Sequence, residues 1–150
     1  EQPRYSLIER RIENEVIPVA QKYGIGILAY SPLGGGILTG KYKKDQPYPE
    51  GSRATDEDWG EWATSFLSEK VHDLVDLLVE MAAEKDCSPS QLSLAWVIQQ
   101  TGVTSAIIGP RTMAHLDDNL GALDVTLSEN DLKQLDEASI PGGALYEMRS

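Results

Sequence analysis

The stretch Leu28-Ala-Tyr-Ser-Pro-Leu-Gly-Gly-Gly-Ile-Leu-Thr-Gly-Lys-Tyr42 decides how the chain is read. From Gly35 it runs G-x-x-x-x-G-K-Y, one residue short of a P-loop. A P-loop needs Ser or Thr after its lysine, because that hydroxyl binds magnesium. Here Tyr42 follows Lys41, and a phenol at that point is too long and too weak a ligand. Pro47, Pro49 and Gly51 come next, so no helix opens at the lysine. A triphosphate cradle is therefore set aside. The run before it, Ile25-Gly-Ile-Leu-Ala-Tyr30, is short and apolar between glycines, which predicts a strand buried on both faces in a parallel sheet. Gly34, Gly35 and Gly36 fall just past its C-terminal end, where α/β folds place ligands. Two explanations stay open for them. One is a tight turn needing positive φ; the other is close approach of backbone amides to a phosphate.

A second apolar run, Val103-Thr-Ser-Ala-Ile-Ile108, predicts a second buried strand, and it ends in a comparable way, Gly109-Pro-Arg-Thr112. Gly109 permits close approach, and Arg111 offers a planar cationic fork suited to a phosphate. Thr112 can cap a helix through Leu120, whose first N–H groups carry a positive dipole end. His115, Asp118 and Asn119 lie three to four residues apart and so share a helix face. Asn119 has the donor and acceptor to pair with an adenine edge. A solvated arginine on a polar helix face explains the same residues equally well.

Around these tips the chain is helical. Ser6-Leu-Ile-Glu9 fits a capping box, and Ile8, Ile12, Val16, Val19, Ala20 and Tyr23 recur at helical spacing, predicting an amphipathic helix over 7–23. Pro18 marks a kink or a break in it. Residues 31–64 read as a long loop, of the kind that is functional or mobile in a compact domain. Ser68 opens a helix to Lys85, with Val71, Leu74, Val75, Leu78 and Met81 on one face. Ser88-Pro-Ser-Gln91 is a second capping box, with Pro89 at the favoured first position of a helix that carries Leu92, Ala95, Trp96 and Gln99 and stops near Gly102. Leu127-Ser-Glu-Asn-Asp131 starts a last helix, closed by Pro141-Gly-Gly143, and the tail to Ser150 is expected to be loose. The order α-β-α-α-β-α-α implies a parallel sheet with right-handed crossovers. Two strands are too few for such a sheet, which suggests a piece of a larger α/β structure.

Composition narrows the function classes. The chain has 150 residues with 24 acidic against 13 basic side chains, a net charge of -11. That argues against nucleic acid, whose binding depends on an excess of Lys and Arg. No window approaches the roughly 18 unbroken apolar residues of a membrane helix. No export signal is visible and Cys87 is the single cysteine, so a cytoplasmic, reducing setting is expected. Cys87 reads as a helix-flanking thiol rather than a nucleophile. His72 and His115 lack ligand neighbours at short spacing, so no metal site is expected.

Taken together, Gly26-Ile-Leu-Ala-Tyr-Ser-Pro-Leu-Gly-Gly-Gly-Ile-Leu-Thr-Gly40 and Ile108-Gly-Pro-Arg-Thr112 followed by His115-Leu-Asp-Asp-Asn-Leu-Gly-Ala122 resemble the aldo-keto reductases. Gln2-Pro-Arg-Tyr-Ser-Leu-Ile-Glu-Arg10 is similar to the end of that family's sixth barrel strand, and Ser90-Gln-Leu-Ser-Leu-Ala-Trp-Val-Ile98 to its seventh outer helix. The matches run in family order from residue 2 to about 135. The resemblance implies the C-terminal part of a (β/α)8 barrel. Residues 1–42 would hold the end of strand six, a helix, strand seven and the glycine turn. A mobile loop over 43–66 and helices over 67–102 would follow. Strand eight and a cofactor helix would take 103–121, and the last helix and tail 122–150. It also implies NADP(H) as cofactor and reduction of an aldehyde or ketone to an alcohol in the complete enzyme. By match, Gln2 would touch the nicotinamide amide and Tyr30 would stack on its ring. Ser31, Pro32, Leu33 and Gly35 would lie along the pyrophosphate. Gly109 and Arg111 would hold the 2′-phosphate side, and His115, Asp118 and Asn119 the adenosine end. His115 and Asp118 match the family pattern inexactly. Lys41 and Arg53 border the loop that would fold over the pyrophosphate. No residue matches the family's catalytic Asp, Tyr, Lys and His, so no catalytic residue is expected here and the chain alone is expected to be inactive. A half-barrel exposes strand edges, so self-association or pairing with a complementing N-terminal half is expected. A non-catalytic nucleotide- or partner-binding protein on the same scaffold is the alternative.

Overall fold

The computed structural model describes residues 1–146. Two short strands, β1 (Ile27–Tyr30) and β2 (Val103–Ile107), pair in parallel with Ile27 opposite Val103 and Tyr30 opposite Ile107. The register slips after Ile27. At the slip the Thr104 hydroxyl accepts the Ile27 N–H at 3.1 Å, so the irregularity leaves no orphaned donor. Residues 1–5 run beside the other edge of β1. The N–H groups of Leu28 and Tyr30 donate to the carbonyls of Glu1 and Pro3, both at 2.8 Å, and the Tyr5 N–H donates to Tyr30 at 3.1 Å.

Among the described residues there are six α-helices: α1 (Val16–Tyr23), α2 (Gly60–Thr64), α3 (Glu69–Glu84), α4 (Pro89–Gln99), α5 (Met113–Leu120) and α6 (Glu129–Ala138). On α3, Val71, Leu74, Val75, Leu78, Met81 and Ala82 are buried, the i, i+3, i+4, i+7 face its spacing predicts. Ser68 caps it by accepting the Val71 N–H at 3.3 Å. Ser88 and Gln91 form both bonds of the expected capping box on α4. That helix is not one-sided: every residue from Leu92 to Val97 is buried, with Trp96 among the largest fully enclosed side chains. Its position between sheet and outer helices surrounds it on all sides. Each such buried leucine or valine is worth about 1.5–3 kcal/mol.

Five expectations change. The Ser6–Glu9 pattern caps no helix. Ser6 and Glu9 exchange backbone hydrogen bonds across a tight turn, and Glu9 pairs through its backbone with Ala144. The helix starts only at Val16, which places Pro18 in the first turn, where an absent N–H costs nothing. Of the residues expected on its inner face Ala20 is buried, but Val19 and Tyr23 are exposed, and Ile17 is buried beside Ala20. Neither strand is buried on both faces. Ile27 and Ala29 are enclosed, but Leu28 and Tyr30 are about half exposed, and β2 has no fully buried residue. The described end of the chain is docked, not loose. Leu145 is buried and its N–H donates to Ile8 at 3.0 Å. Tyr146 packs edge-on to Phe66 at 4.5 Å. The remainder of the tail expectation, 147–150, lies outside the described residues. The segment between β1 and α3 is not featureless either, since it holds α2 and a 3-10 turn at Arg53–Thr55.

Candidate functional site

Parallel pairing puts the C-terminal ends of β1 and β2 side by side, and the chain leaves both in turns. After β1, Ser31 takes φ 55° and its hydroxyl accepts the Gly35 N–H at 3.1 Å. Gly34, Gly35 and Gly36 take φ of 58°, 70° and 97°, in the left-handed region where side chains are strained. The Gly34 N–H donates to Ser31 and the Gly36 N–H to Leu33. All three glycine amides are thus used inside the turn. Of the two explanations left open by the sequence, the tight turn accounts for these glycines.

Gly109 is different. It lies at the tip of β2 with no positive φ, and a Cβ built on it would meet nothing within 4 Å. Neither backbone conformation nor packing requires glycine there, and its missing side chain leaves room for a ligand. Thr112 caps α5 as expected, accepting the His115 N–H at 3.1 Å.

The two tips are walls of one open groove of about 500 Å³. Tyr30, Ser31, Pro32, Leu33 and Gly35 line it from the β1 side. Gly109, Arg111, His115, Asp118 and Asn119 line it from the β2 side. Gln2 is not among its lining residues; it lies exposed on the segment beside β1. Lys41 and Arg53 do line it. Arg53 sits near Gly35 and over the Trp62 ring at 6.0 Å; Lys41 sits near Gly36 and over Tyr42 at 4.9 Å. Arg111 spans the space to the loop, donating to the Gly51 carbonyl at 3.3 Å. Three permanent cations against the single carboxylate of Asp118 make the groove locally positive on an acidic chain, an arrangement that favours anionic ligands. Thr39 and Ser90 also line it and were not read from the sequence. Ser90 is the second residue of α4, and nothing in a capping-box pattern signals that its neighbourhood opens into a groove.

A second cavity, of about 30 Å³ between Arg4, Glu9, Ser31 and Trp62, has room for little more than water. Burial holds the Cys87 thiol above its ordinary pKa despite Lys85 nearby, so it is not an activated nucleophile. Among the described residues no group of three or more His, Cys, Asp or Glu side chains could hold a metal, and no helix is long and apolar enough to cross a membrane.

A groove at the C-terminal ends of parallel strands, locally basic and floored by glycine turns, is the form of a nucleotide site in an α/β protein. Residues 1–140 match the model of the aldo/keto reductase family, and the chain belongs to that family. It is 35% identical over 150 residues to a probable aldo-keto reductase 1 of Glycine max, covering 97% of this chain and 42% of the relative. It is 34% identical over 137 residues to the aldo-keto reductase yakc [NADP(+)] of Schizosaccharomyces pombe, covering 89% and 38%. It is 32% identical over 130 residues to the NADH-specific methylglyoxal reductase of Escherichia coli K12, covering 87% and 38%. The chain spans about two-fifths of the length of the curated relatives it matches.

Proposed function

We propose that this chain is the cofactor-gripping, C-terminal part of a (β/α)8 carbonyl reductase, and that its groove holds NADP(H). The single observation that carries the reading is the joining of the β1 and β2 tips in one open, locally basic groove. Tyr30, half exposed on its strand, offers a flat ring to the nicotinamide. Ser31, Pro32, Leu33 and Gly35 form the floor under the pyrophosphate, flanked by Lys41 and Arg53. Gly109 admits the adenosine end, and Arg111 exchanges the neutral Gly51 carbonyl for the 2′-phosphate, a charge-assisted and stronger partner. His115, Asp118 and Asn119 border the adenine, with Asn119 the most buried of the three. Gln2, on the segment beside β1 and outside the groove lining, is assigned to the nicotinamide amide by the family resemblance alone. When bound, the nicotinamide supplies the hydride. This chain's residues bind and orient the cofactor; the proton donor comes from elsewhere, because no residue here matches the family tetrad. The complete enzyme reduces an aldehyde or ketone in the cytoplasm.

The relatives' names include both an NADP(+) and an NADH enzyme, so the test carries both cofactors. NADPH is titrated into the purified chain, following cofactor fluorescence, with circular dichroism to verify folding. NADPH is expected to bind, and Arg111→Ala to weaken it about tenfold, which is about 1.4 kcal/mol, with NADH nearly unaffected. Equal weakening of both removes Arg111 from the phosphate. Absence of binding to a folded chain, or consumption of NADPH with a reactive aldehyde by the chain alone, overturns the reading. The alternative is a non-catalytic nucleotide- or partner-binding protein on the same scaffold. It predicts no turnover even after a tetrad-bearing chain is added.

A further inference from the structure

The donors that a phosphate needs on the β1 side of the groove are not in the glycine turn. The N–H groups of Gly34 and Gly36 are given to the carbonyls of Ser31 and Leu33, and that of Gly35 to the Ser31 hydroxyl. The start of α4 packs against the end of this turn. A Cβ built on Gly40 would meet the Pro89 ring at 3.4 Å, and the Ser93 hydroxyl donates to the Leu38 carbonyl at 3.4 Å. Between Pro89 and Ser93 comes Ser90, which lines the groove.

Ser90 is only 8% exposed, yet among the described residues its hydroxyl has no hydrogen-bond partner. The next buried serine of α4, Ser93, returns its hydroxyl to a carbonyl; Ser90 does not. A hydroxyl left unpaired in a largely desolvated position carries a cost that a ligand removes. The backbone is open at the same residue. Pro89 has no N–H, the Gln91 N–H goes to the Ser88 hydroxyl at 3.1 Å, and the Leu92 N–H goes to the Ser88 carbonyl at 3.0 Å. In that first turn the Ser90 N–H is left, with no acceptor among the described residues. One residue therefore presents a free hydroxyl and a free amide at the positive end of an 11-residue helix. Lys41, whose ammonium lies against Gly36, adds a cation to the same groove.

We infer that Ser90 is a ligand-binding residue, and that its hydroxyl and N–H donate to the pyrophosphate of the nucleotide. This subsite is separate from the one at Arg111. It is built on α4 rather than α5, and against the β1 turn rather than the β2 tip. The pyrophosphate is its occupant, not the 2′-phosphate, because α4 packs on the turn along which the pyrophosphate is laid. The assignment rests on the nucleotide reading of the groove, and it supplies the neutral donors that the spent glycine amides do not.

The test uses NADPH and adenosine 2′-phosphate, which keeps the 2′-phosphate and lacks the pyrophosphate. NADPH is followed by its fluorescence in purified parent and variant chains, and adenosine 2′-phosphate by its displacement of NADPH. Ser90→Ala is expected to weaken NADPH about tenfold, to leave adenosine 2′-phosphate unchanged and to keep the parent's melting curve. Ser90→Asp puts a carboxylate where the helix dipole favours one and a phosphate is repelled. It is expected to keep the helix and to weaken NADPH further than alanine does. Arg111→Ala is expected to weaken both ligands. The assignment is overturned if Ser90→Ala binds NADPH like the parent, or weakens both ligands alike. It is overturned too if both Ser90 variants melt earlier in step with their loss of binding, which would make Ser90 a support of the fold. Parent-like binding by the Ser90 variants sinks this assignment alone; a folded parent that binds no NADPH sinks the groove reading with it.

Discussion

Gly34 and Gly109 look alike in sequence, since each follows an apolar strand. Gly34 has φ 58°, and a Cβ there would come within 2.7 Å of the Ile8 side chain. Gly109 has neither constraint. Opposite responses to substitution are therefore expected. Gly34→Ala should cost about 1–2 kcal/mol in denaturant unfolding, from the left-handed backbone alone. Gly109→Val should leave stability unchanged and weaken NADPH about tenfold in a fluorescence titration. Loss of stability in Gly109→Val with binding retained would show that this glycine serves the fold instead. The sequence could locate both residues but not separate them, because the distinction lies in φ and in what stands across from each. Gln2 was placed by resemblance and Ser90 was missed for the same reason: lining a groove is a property of neighbours, not of a residue type.

Among the elements, three S-x-x-E/Q/D patterns had the same local claim to a helix start, and two took it. Ser88–Gln91 and Ser128–Asp131 form both reciprocal bonds of the box. Ser6–Glu9 does not, because Glu9 is drawn into contacts with Arg11 and Tyr146 and its backbone pairs with Ala144. A local preference of about 1 kcal/mol is overridden by several tertiary contacts. Ser88→Ala is accordingly expected to lower unfolding free energy by about 1 kcal/mol, with Ser6→Ala leaving helical content by circular dichroism unchanged. An equal loss of helical signal in both would contradict the turn at Ser6. The helices α3 and α6 were legible because periodicity and caps agreed, and α4 and α5 because of their caps. The strands were legible as strands but not in their burial, since an apolar run does not say whether a covering layer is present.

For the whole molecule, the two ends of the chain are held together by ionic contacts. Arg10 is bound to Glu13 at 2.7 Å and to Asp136 of α6 at 2.6 Å, and it lies over the Trp96 ring at 4.9 Å. Glu9 accepts from Arg11 and Tyr146, and Lys85 meets Asp131 at 2.6 Å. Burial alone would raise the carboxyl of Glu9, but these hydrogen bonds hold it below the usual carboxylate range. At Asp131 burial likewise acts to raise the carboxyl, but the hydrogen bonds from Lys85 and Ser128 outweigh it and hold the group below the usual carboxylate range. Both groups bind protons more weakly folded than unfolded. Their stabilisation is complete above the ordinary carboxylate pKa and is lost as pH falls through the lowered folded values. Thermal melts from neutral to acid pH should therefore show stability declining below about pH 4–5, and Asp131→Asn should flatten part of that slope. A parallel slope in the variant would remove Asp131 from the effect. The sequence by itself determined the family and the order of the two strands and the longer helices, because turn chemistry, caps and apolar periodicity are short-range and act along the chain. Only the tertiary structure decided that the strand tips meet in one groove, that the glycine amides are already bonded, that the tail through Tyr146 returns to the N-terminal turn, and which apolar faces stay open. Those outcomes depend on which distant segments pack together, and no local pattern encodes that.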